Sequence, residues 1–365
     1  PVTNIYPNVT NPSERKITFE IKGKALYPKL DVLFAMMREI LMESKLGDEK
    51  RLKEILSMLK TRLQTSFLSA GHTTAVLRSL SYTSPIARFR DITSGIGFYE
   101  VVKDLEENFE ERKELLIENL KKIAGRIFRK ENLMLSYTSA QEGLAVLEKA
   151  VPQFADSLHT GEKESHGQCI IHCKKRNEGF RTSSKVQYVA RTGNFIDGGA
   201  EYTGALQILK VILSYDYLWQ NVRVKGGAYG CMSGFNRIGE GYLVSYRDPN
   251  LEKTMEIYEG VVDYLKNFDI DDRDMNKFII GTISNLDRPM NPAAKGSRSL
   301  NLYMNRITEE MIRREREQIL DAQQEDIRGL ATVLEAVLAA GELCVIGSEE
   351  KIEEAKEMFG EIRTL

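Results

Sequence analysis

Cysteine is scarce in this chain, four in 365 residues. That is too few and too scattered for a disulfide framework, so reduced thiols in a cytosol-like compartment are expected. Histidine is equally sparse: His72, His159, His166 and His172, no two of them four residues apart. Both H-x-x-E-H and H-E-x-x-H are thereby excluded, and the chain cannot supply a standard zinc-protease site alone. Charge of one sign is not in excess, with Lys+Arg at 51, Asp+Glu at 53 and a formal net charge of −2. No electrostatic case for a nucleic-acid or membrane partner follows. Long hydrophobic runs are missing too, since residues 330–346 are interrupted by Glu335 and Glu342, so no membrane span is expected. No signal peptide is visible, and a cytoplasmic location is expected. The nucleophile elbow G-x-S-x-G is absent, as are both glycine-rich phosphate loops, G-x-x-x-x-G-K-S/T and G-x-G-x-x-G.

What remains is an ordinary globular composition, 42% hydrophobic and 28% charged. The length favours two domains. The first residue is Pro1, and residues 4–12 read as an extended linker, so a processed or excised piece of a larger protein is expected. Alternation predicts strands at 17–21, 132–137, 185–190, 229–235, 242–246 and 342–347. Helical spacing predicts helices at 27–43, 48–67, 73–80, 101–109, 109–128, 140–150, 202–222, 251–267, 271–286, 309–320 and 322–340. The helix at 271–286 is expected to stop at Pro289 and Pro292.

The polar stretch 153–167 marks a boundary, giving units 1–165 and 166–365. Two short matches relate them. Phe89-Arg-Asp-Ile-Thr93 aligns with Met304-Asn-Arg-Ile-Thr308, and residues 131–139 align with 341–348, each ending in a serine able to cap the next helix. The expected fold is α+β: two homologous domains about 200 residues apart in repeat, each a mainly antiparallel sheet packed by helices.

The chain is organised around Asn221-Val-Arg223-Val-Lys-Gly226-Gly227-Ala-Tyr229-Gly230. Arg223 falls in the last turn of the long helix, where a cation complements the helix dipole. Gly226 and Gly227 let the helix stop and the chain turn, and Tyr229 stands at the mouth of a strand. A guanidinium and a phenol aimed at one point are donors suited to a carbonyl oxygen or the oxyanion formed from it. The alternative is structural, with Arg223 capping its helix and Tyr229 acting as a core aromatic.

Other constellations carry less. His166, Cys169, His172 and Cys173 crowd into eight residues. On a strand, however, Cys169 and Cys173 lie about 13 Å apart at ~3.3 Å per residue, too far to share one zinc, and His172 faces the other way. His72 reads as a lone structural histidine beside a helix start. The carboxylates of 106–114 read as a solvated helix face.

At Arg223 to Tyr229 the chain resembles a known family. Arg-Val-Lys-Gly-Gly-Ala-Tyr-Gly, preceded by Tyr217-Leu-Trp-Gln-Asn and followed by Ser245-Tyr-Arg-Asp-Pro-Asn-Leu251, is similar to the C-terminal half of presequence proteases, within the pitrilysin and insulinase (inverzincin) metallopeptidases. Asp287-Arg-Pro-Met-Asn-Pro-Ala-Ala-Lys-Gly296 resembles the same group. The resemblance implies four homologous α+β domains around a closed chamber, of which this chain supplies the third (structural) and fourth. It implies zinc bound in the N-terminal half, with no ligands in this chain, and unfolded peptides as substrates. It also implies that Arg223 and Tyr229 hydrogen-bond the scissile carbonyl, with Gly226 and Gly227 beside the substrate. The partner is then the N-terminal catalytic half, on the same or a separate polypeptide, and this piece alone is expected to be inactive. The rival expectation is a non-catalytic scaffold or peptide-binding subunit of a separate catalytic chain.

Overall fold

The computed structural model describes residues 1–161 and 170–365. The chain opens with an antiparallel hairpin, β1 (Val2–Asn8) and β2 (Asn11–Glu20). Seven helices follow: α1 (Leu30–Met42), α2 (Glu49–Ser69), α3 (Gly71–Leu80), α4 (Pro85–Ser94), α5 (Ile96–Glu107), α6 (Phe109–Ile127) and α7 (Glu142–Asp156). Strands β3 (Glu178–Thr182) and β4 (Tyr188–Asn194) lead into α8 (Ala205–Tyr215). The hairpin β5 (Gly230–Phe235) and β6 (Glu240–Tyr246) comes next.

Seven more helices follow: α9 (Glu252–Glu259), α10 (Val261–Lys266), α11 (Asp272–Leu286), α12 (Pro292–Met304), α13 (Glu309–Leu320), α14 (Gln324–Gly329) and α15 (Ala331–Ala339). The chain closes with β7 (Glu342–Ser348), α16 (Glu349–Glu354) and β8 (Glu361–Thr364). The class is α+β, as the sequence implied.

Six strands make one mixed sheet in the order β5-β6-β4-β7-β3-β8, with β7-β3 and β3-β8 parallel and the rest antiparallel. Strand side chains alternate between the two faces, and each face has its own cover. Val189, Leu243, Leu343 and Val345 enter a core with α8, α9, α10 and α15. Tyr188, Ala190, Val244, Cys344 and Ile346 enter a second core with Phe67 of α2, Ala75 of α3 and Ile96 and Tyr99 of α5. Helices from the first region therefore roof the sheet of the second.

Several expectations need correction. The expected strand at 132–137 is not one: Leu133, Met134 and Leu135 are exposed and belong to no strand, and a strand needs a partner for its main-chain groups. The N-terminal region thus contributes a two-stranded hairpin where a larger sheet was expected. The expected linker contains β1, which pairs with β2 throughout its length. The helix expected at 271–286 does end at Leu286, and Pro292 in addition begins α12, with the Asn291 side chain accepting the Ala294 N–H at 2.9 Å. Its fixed φ and missing N–H suit a first helical position.

Ser84 caps α4, with Pro85 following it, in the same way. Helix α4 and strands β3 and β8 show no clear periodic signal in the sequence. The expected boundary at 165/166, with His166 and Cys169, lies outside the described residues.

Candidate functional site

The expected single helix over 202–222 is two pieces. Helix α8 buries Leu206, Ile208, Leu209, Ile212 and Leu213 and ends at Asp216, whose carboxylate accepts the Tyr264 hydroxyl at 2.7 Å. After Tyr217 and Leu218 the chain winds into a wider π-helical turn, Trp219–Val224. Its signature is the Lys225 N–H donating to the Gln220 carbonyl at 3.0 Å, five residues back. Leu218 and Val222 are buried and anchor the turn. Arg223 lies on it with its guanidinium 3.8 Å from the centroid of the Trp219 ring, a stacked cation–π pair that fixes a long side chain.

The turn then reverses. The Gly227 N–H donates to the Arg223 carbonyl at 2.9 Å and the Ala228 N–H to the Val222 carbonyl at 3.1 Å. Gly227 has φ of 82°, a left-handed conformation that favours glycine. A Cβ on Gly226 would stand 2.5 Å from the Val222 carbonyl oxygen. These glycines close the reversal, and the Gly226 carbonyl is itself occupied by the Asn250 side-chain amide at 2.6 Å. Asn250 is held by buried Asp248, whose carboxylate accepts the Asn250 N–H at 2.9 Å and the Thr254 hydroxyl at 2.7 Å. Burial pushes the Asp248 carboxyl above its usual range, against the pull of those donors.

Tyr229 emerges from this reversal 68% exposed. Its N–H donates to the Tyr246 carbonyl at 3.0 Å and its ring lies against that of Tyr246 at 5.8 Å between centroids. Its exposure rules out the core-aromatic alternative. Arg223 is half-buried on the same reversal, close enough for its charge to act on the Cys231 thiol. That thiol is pushed up to about 11 by burial, which leaves it inert at neutral pH. Both candidate donors thus sit on one hydrogen-bonded loop with solvent access. Trp219, Asn250 and Asp248 were missed as site residues, although Trp219 at four residues before Arg223 is a spacing that puts both on one helical face.

Among the described residues no group of three or more His, Cys, Asp or Glu is arranged to hold a metal. Ile170 to Cys173 forms no strand, and burial raises the Cys173 thiol. His72 sits in the first turn of α3 and makes no part of a metal set. No helix among the described residues is long and apolar enough to cross a membrane.

Two family models match: "PreP C-terminal domain" over residues 177–349, and the domain associated with subfamily C of the M16 peptidases over residues 2–105. The chain is a presequence-protease-like member of the M16 peptidase family. Its Arg223-to-Tyr229 loop falls inside the first of these matches. It is 35% identical over 362 residues to Protein HypA of Clostridium perfringens, covering 99% of this chain and 37% of that protein. It is 30% identical over 356 residues to Presequence protease 1, chloroplastic/mitochondrial, of Arabidopsis thaliana, covering 96% of this chain and 33% of that protein. The chain therefore spans about a third of the length of these relatives. The crystal structure of pitrilysin shares the fold at TM-score 0.57 and 11% identity, over 87% of this chain and 33% of that one.

Proposed function

We propose that this chain is the C-terminal half of a zinc-dependent oligopeptidase that degrades unstructured peptides in a closed chamber. Its contribution is a pair of hydrogen-bond donors for the scissile carbonyl. The observation that carries the reading is the hydrogen-bonded reversal that holds a Trp-stacked Arg223 and an exposed Tyr229 six residues apart.

The chemistry follows from the donors. Arg223 offers guanidinium N–H groups and Tyr229 offers a phenolic O–H. When water attacks a peptide carbon, negative charge develops on the carbonyl oxygen. Preorganised donors bind that oxyanion more strongly than the ground-state carbonyl, which lowers the barrier. The π turn, the Gly226–Gly227 reversal and the Asn250 clamp keep the donors in place before substrate arrives, so little reorganisation is needed. The glycines' place beside the substrate belongs to the same proposal. The described residues do not fit a zinc ion, and the family resemblance puts its ligands in the other half. Zinc would supply the activation of the attacking water there.

The test is hydrolysis of a quenched fluorescent peptide by the chain alone, by the chain mixed with the N-terminal half, and by the joined enzyme. The chain alone is expected to be inert. Arg223→Ala and Tyr229→Phe in the complete enzyme are expected to lower kcat about 10²-fold each, the scale of losing one oxyanion donor. Full activity in both variants would remove the donors' role. Association of the halves without activity would favour a scaffold.

A further inference from the structure

Among the described residues, the one aromatic ring against which Tyr229 packs is Tyr246, and Tyr246 is the centre of a larger cluster. Its ring is met edge-on by His72 of α3 at 4.8 Å, with an interplanar angle of 80°. It is also met by Tyr188 of β4 at 5.6 Å and by Tyr229 at 5.8 Å and 65°. The Arg247 guanidinium lies 5.5 Å from the same ring centroid. Tyr188 is fixed from behind: its hydroxyl donates to the Leu68 carbonyl at 2.7 Å, and a Cβ on Gly71 would stand 2.2 Å from its ring. The first turn of α3 is therefore shaped to receive this ring. Arg247 holds a left-handed φ of 49°, rare for a side chain of its size, and its carbonyl joins that of Tyr246 in accepting the Tyr229 N–H. The Tyr229 N–H is thus held by the Tyr246 and Arg247 carbonyls, while its ring packs against Tyr246.

We propose that Tyr246, braced by His72 and Tyr188, is a positioning residue that sets the ring direction of Tyr229. The physical case is one of freedom. A tyrosine 68% exposed visits several staggered χ1 wells unless something restricts it, and a donor aimed only part of the time is a weak one. Edge-to-face packing restricts the ring without consuming its hydroxyl. His72 suits the bracing role because its Nδ1 is buried without a hydrogen-bond partner among the described residues. Its contribution here is therefore packing. The brace also comes from the N-terminal region, which gives α3 a part in a site carried by β5 and β6. The consequence for turnover rests on the donor role proposed above; the orientation of the ring does not.

The orientation is tested on the 365-residue chain itself by NMR with ring-labelled tyrosine, the Tyr229 signal being assigned by its loss in Tyr229→Phe. Tyr246→Leu is expected to move that signal to the position of a solvent-averaged tyrosine. His72→Ala is expected to move it part of the way, and Tyr246→Phe to leave it in place. An unmoved Tyr229 signal in Tyr246→Leu overturns the proposal. Should Tyr246→Leu fail to fold, His72→Ala, which removes a half-buried ring with no hydrogen bond at Nδ1, carries the same test.

In the complete enzyme, Tyr246→Leu is expected to lower kcat about tenfold with KM little changed. Tyr246→Phe restores the rate, and Tyr246→Leu added to Tyr229→Phe costs nothing further. A KM effect with unchanged kcat would overturn the positioning role. If the Tyr229 signal moves as expected while Tyr229→Phe leaves turnover intact, the donor role falls and the orientation of the ring stands.

Discussion

The two faces of the six-stranded sheet solve the same burial problem with different chemistry. The face toward α8, α9, α10 and α15 is closed mainly with aliphatic side chains such as Val189, Leu209, Ile212, Leu343 and Val345, with Phe195 and Tyr258 among them. The face toward α3 and α4 is closed with an apolar centre and a polar margin. There, buried Arg78 of α3 is bidentate to Glu178 of β3 at 2.5 and 2.9 Å and bonds Asp91 of α4 at 2.8 Å. Nearby, Ser79 and Thr192 share a hydrogen bond of 2.8 Å, Thr192 donates to Glu342 at 3.1 Å, and Ser84 donates to Glu240. An aliphatic face tolerates many packings of similar volume. A charged fork accepts one geometry, and here it ties the N-terminal helices to the sheet that carries the site.

The comparison is broken most forcefully at Arg78. Arg78→Met should cost about 3 kcal/mol, because it removes the bidentate partner of buried Glu178 and leaves Asp91 with Arg88 as its remaining ion-pair partner; urea unfolding measures it. Arg78→Lys should recover little, since an ammonium cannot replace the fork. Burial raises the Glu178 carboxyl, but the Arg78 bonds and charge outweigh it and hold the group below the usual carboxylate range. Its contribution to stability is thus present above the ordinary carboxyl pKa and is lost as pH falls through the lower folded value. Unfolding midpoints across that acid range should fall more steeply for the native chain than for Arg78→Met.

On the aliphatic face, Leu209→Ala should cost about 2–5 kcal/mol. Leu209→Met should cost less than about 1.5 kcal/mol. That tolerance of a conservative swap, set against the intolerance at Arg78, is the difference between the faces in one pair of thermal midpoints.

A smaller effect is expected at Ser79. Ser79→Ala removes one neutral hydrogen bond and should cost about 1 kcal/mol by denaturant unfolding. The smallest expected effect has the opposite sign. Burial raises the Glu342 carboxyl against the pull of its hydroxyl donors, so its charged form weakens the fold. Glu342→Gln should stabilise the chain at neutral pH, with the gain fading as pH falls below the ordinary carboxyl range, where the native side chain is protonated in both states. Equal midpoints for the two chains at every pH would show that Glu342 is not desolvated.

The Arg223–Tyr229 loop was legible because its constraints are local. A helix must end, glycines must turn the chain, and a strand must begin, all within the one short stretch. The π turn was not legible, since Trp219 to Val224 keeps the apolar spacing of an ordinary helix. Strand β7 was legible from the run Leu343 to Ile346, apolar on both faces as a strand covered on two sides must be. Strand β3, carrying both Glu178 and Arg181, was not. The buried Glu178 charge is met chiefly by Arg78, 100 residues away in sequence. The exposed segment at Leu133 to Leu135 failed in the other direction, having the pattern of a strand without a partner to pair with.

The amino-acid sequence by itself determined the α+β class, most helix positions, the absence of H-x-x-E-H and the loop on which Arg223 and Tyr229 stand. Each of these depends on residues close together in the chain or on residue types that do not occur. Only the tertiary structure decided that α3 roofs the sheet beside that loop, that Trp219 carries the Arg223 guanidinium, and that His72 reaches Tyr246. These are pairings between side chains brought together by burial, and burial is decided by the whole chain at once.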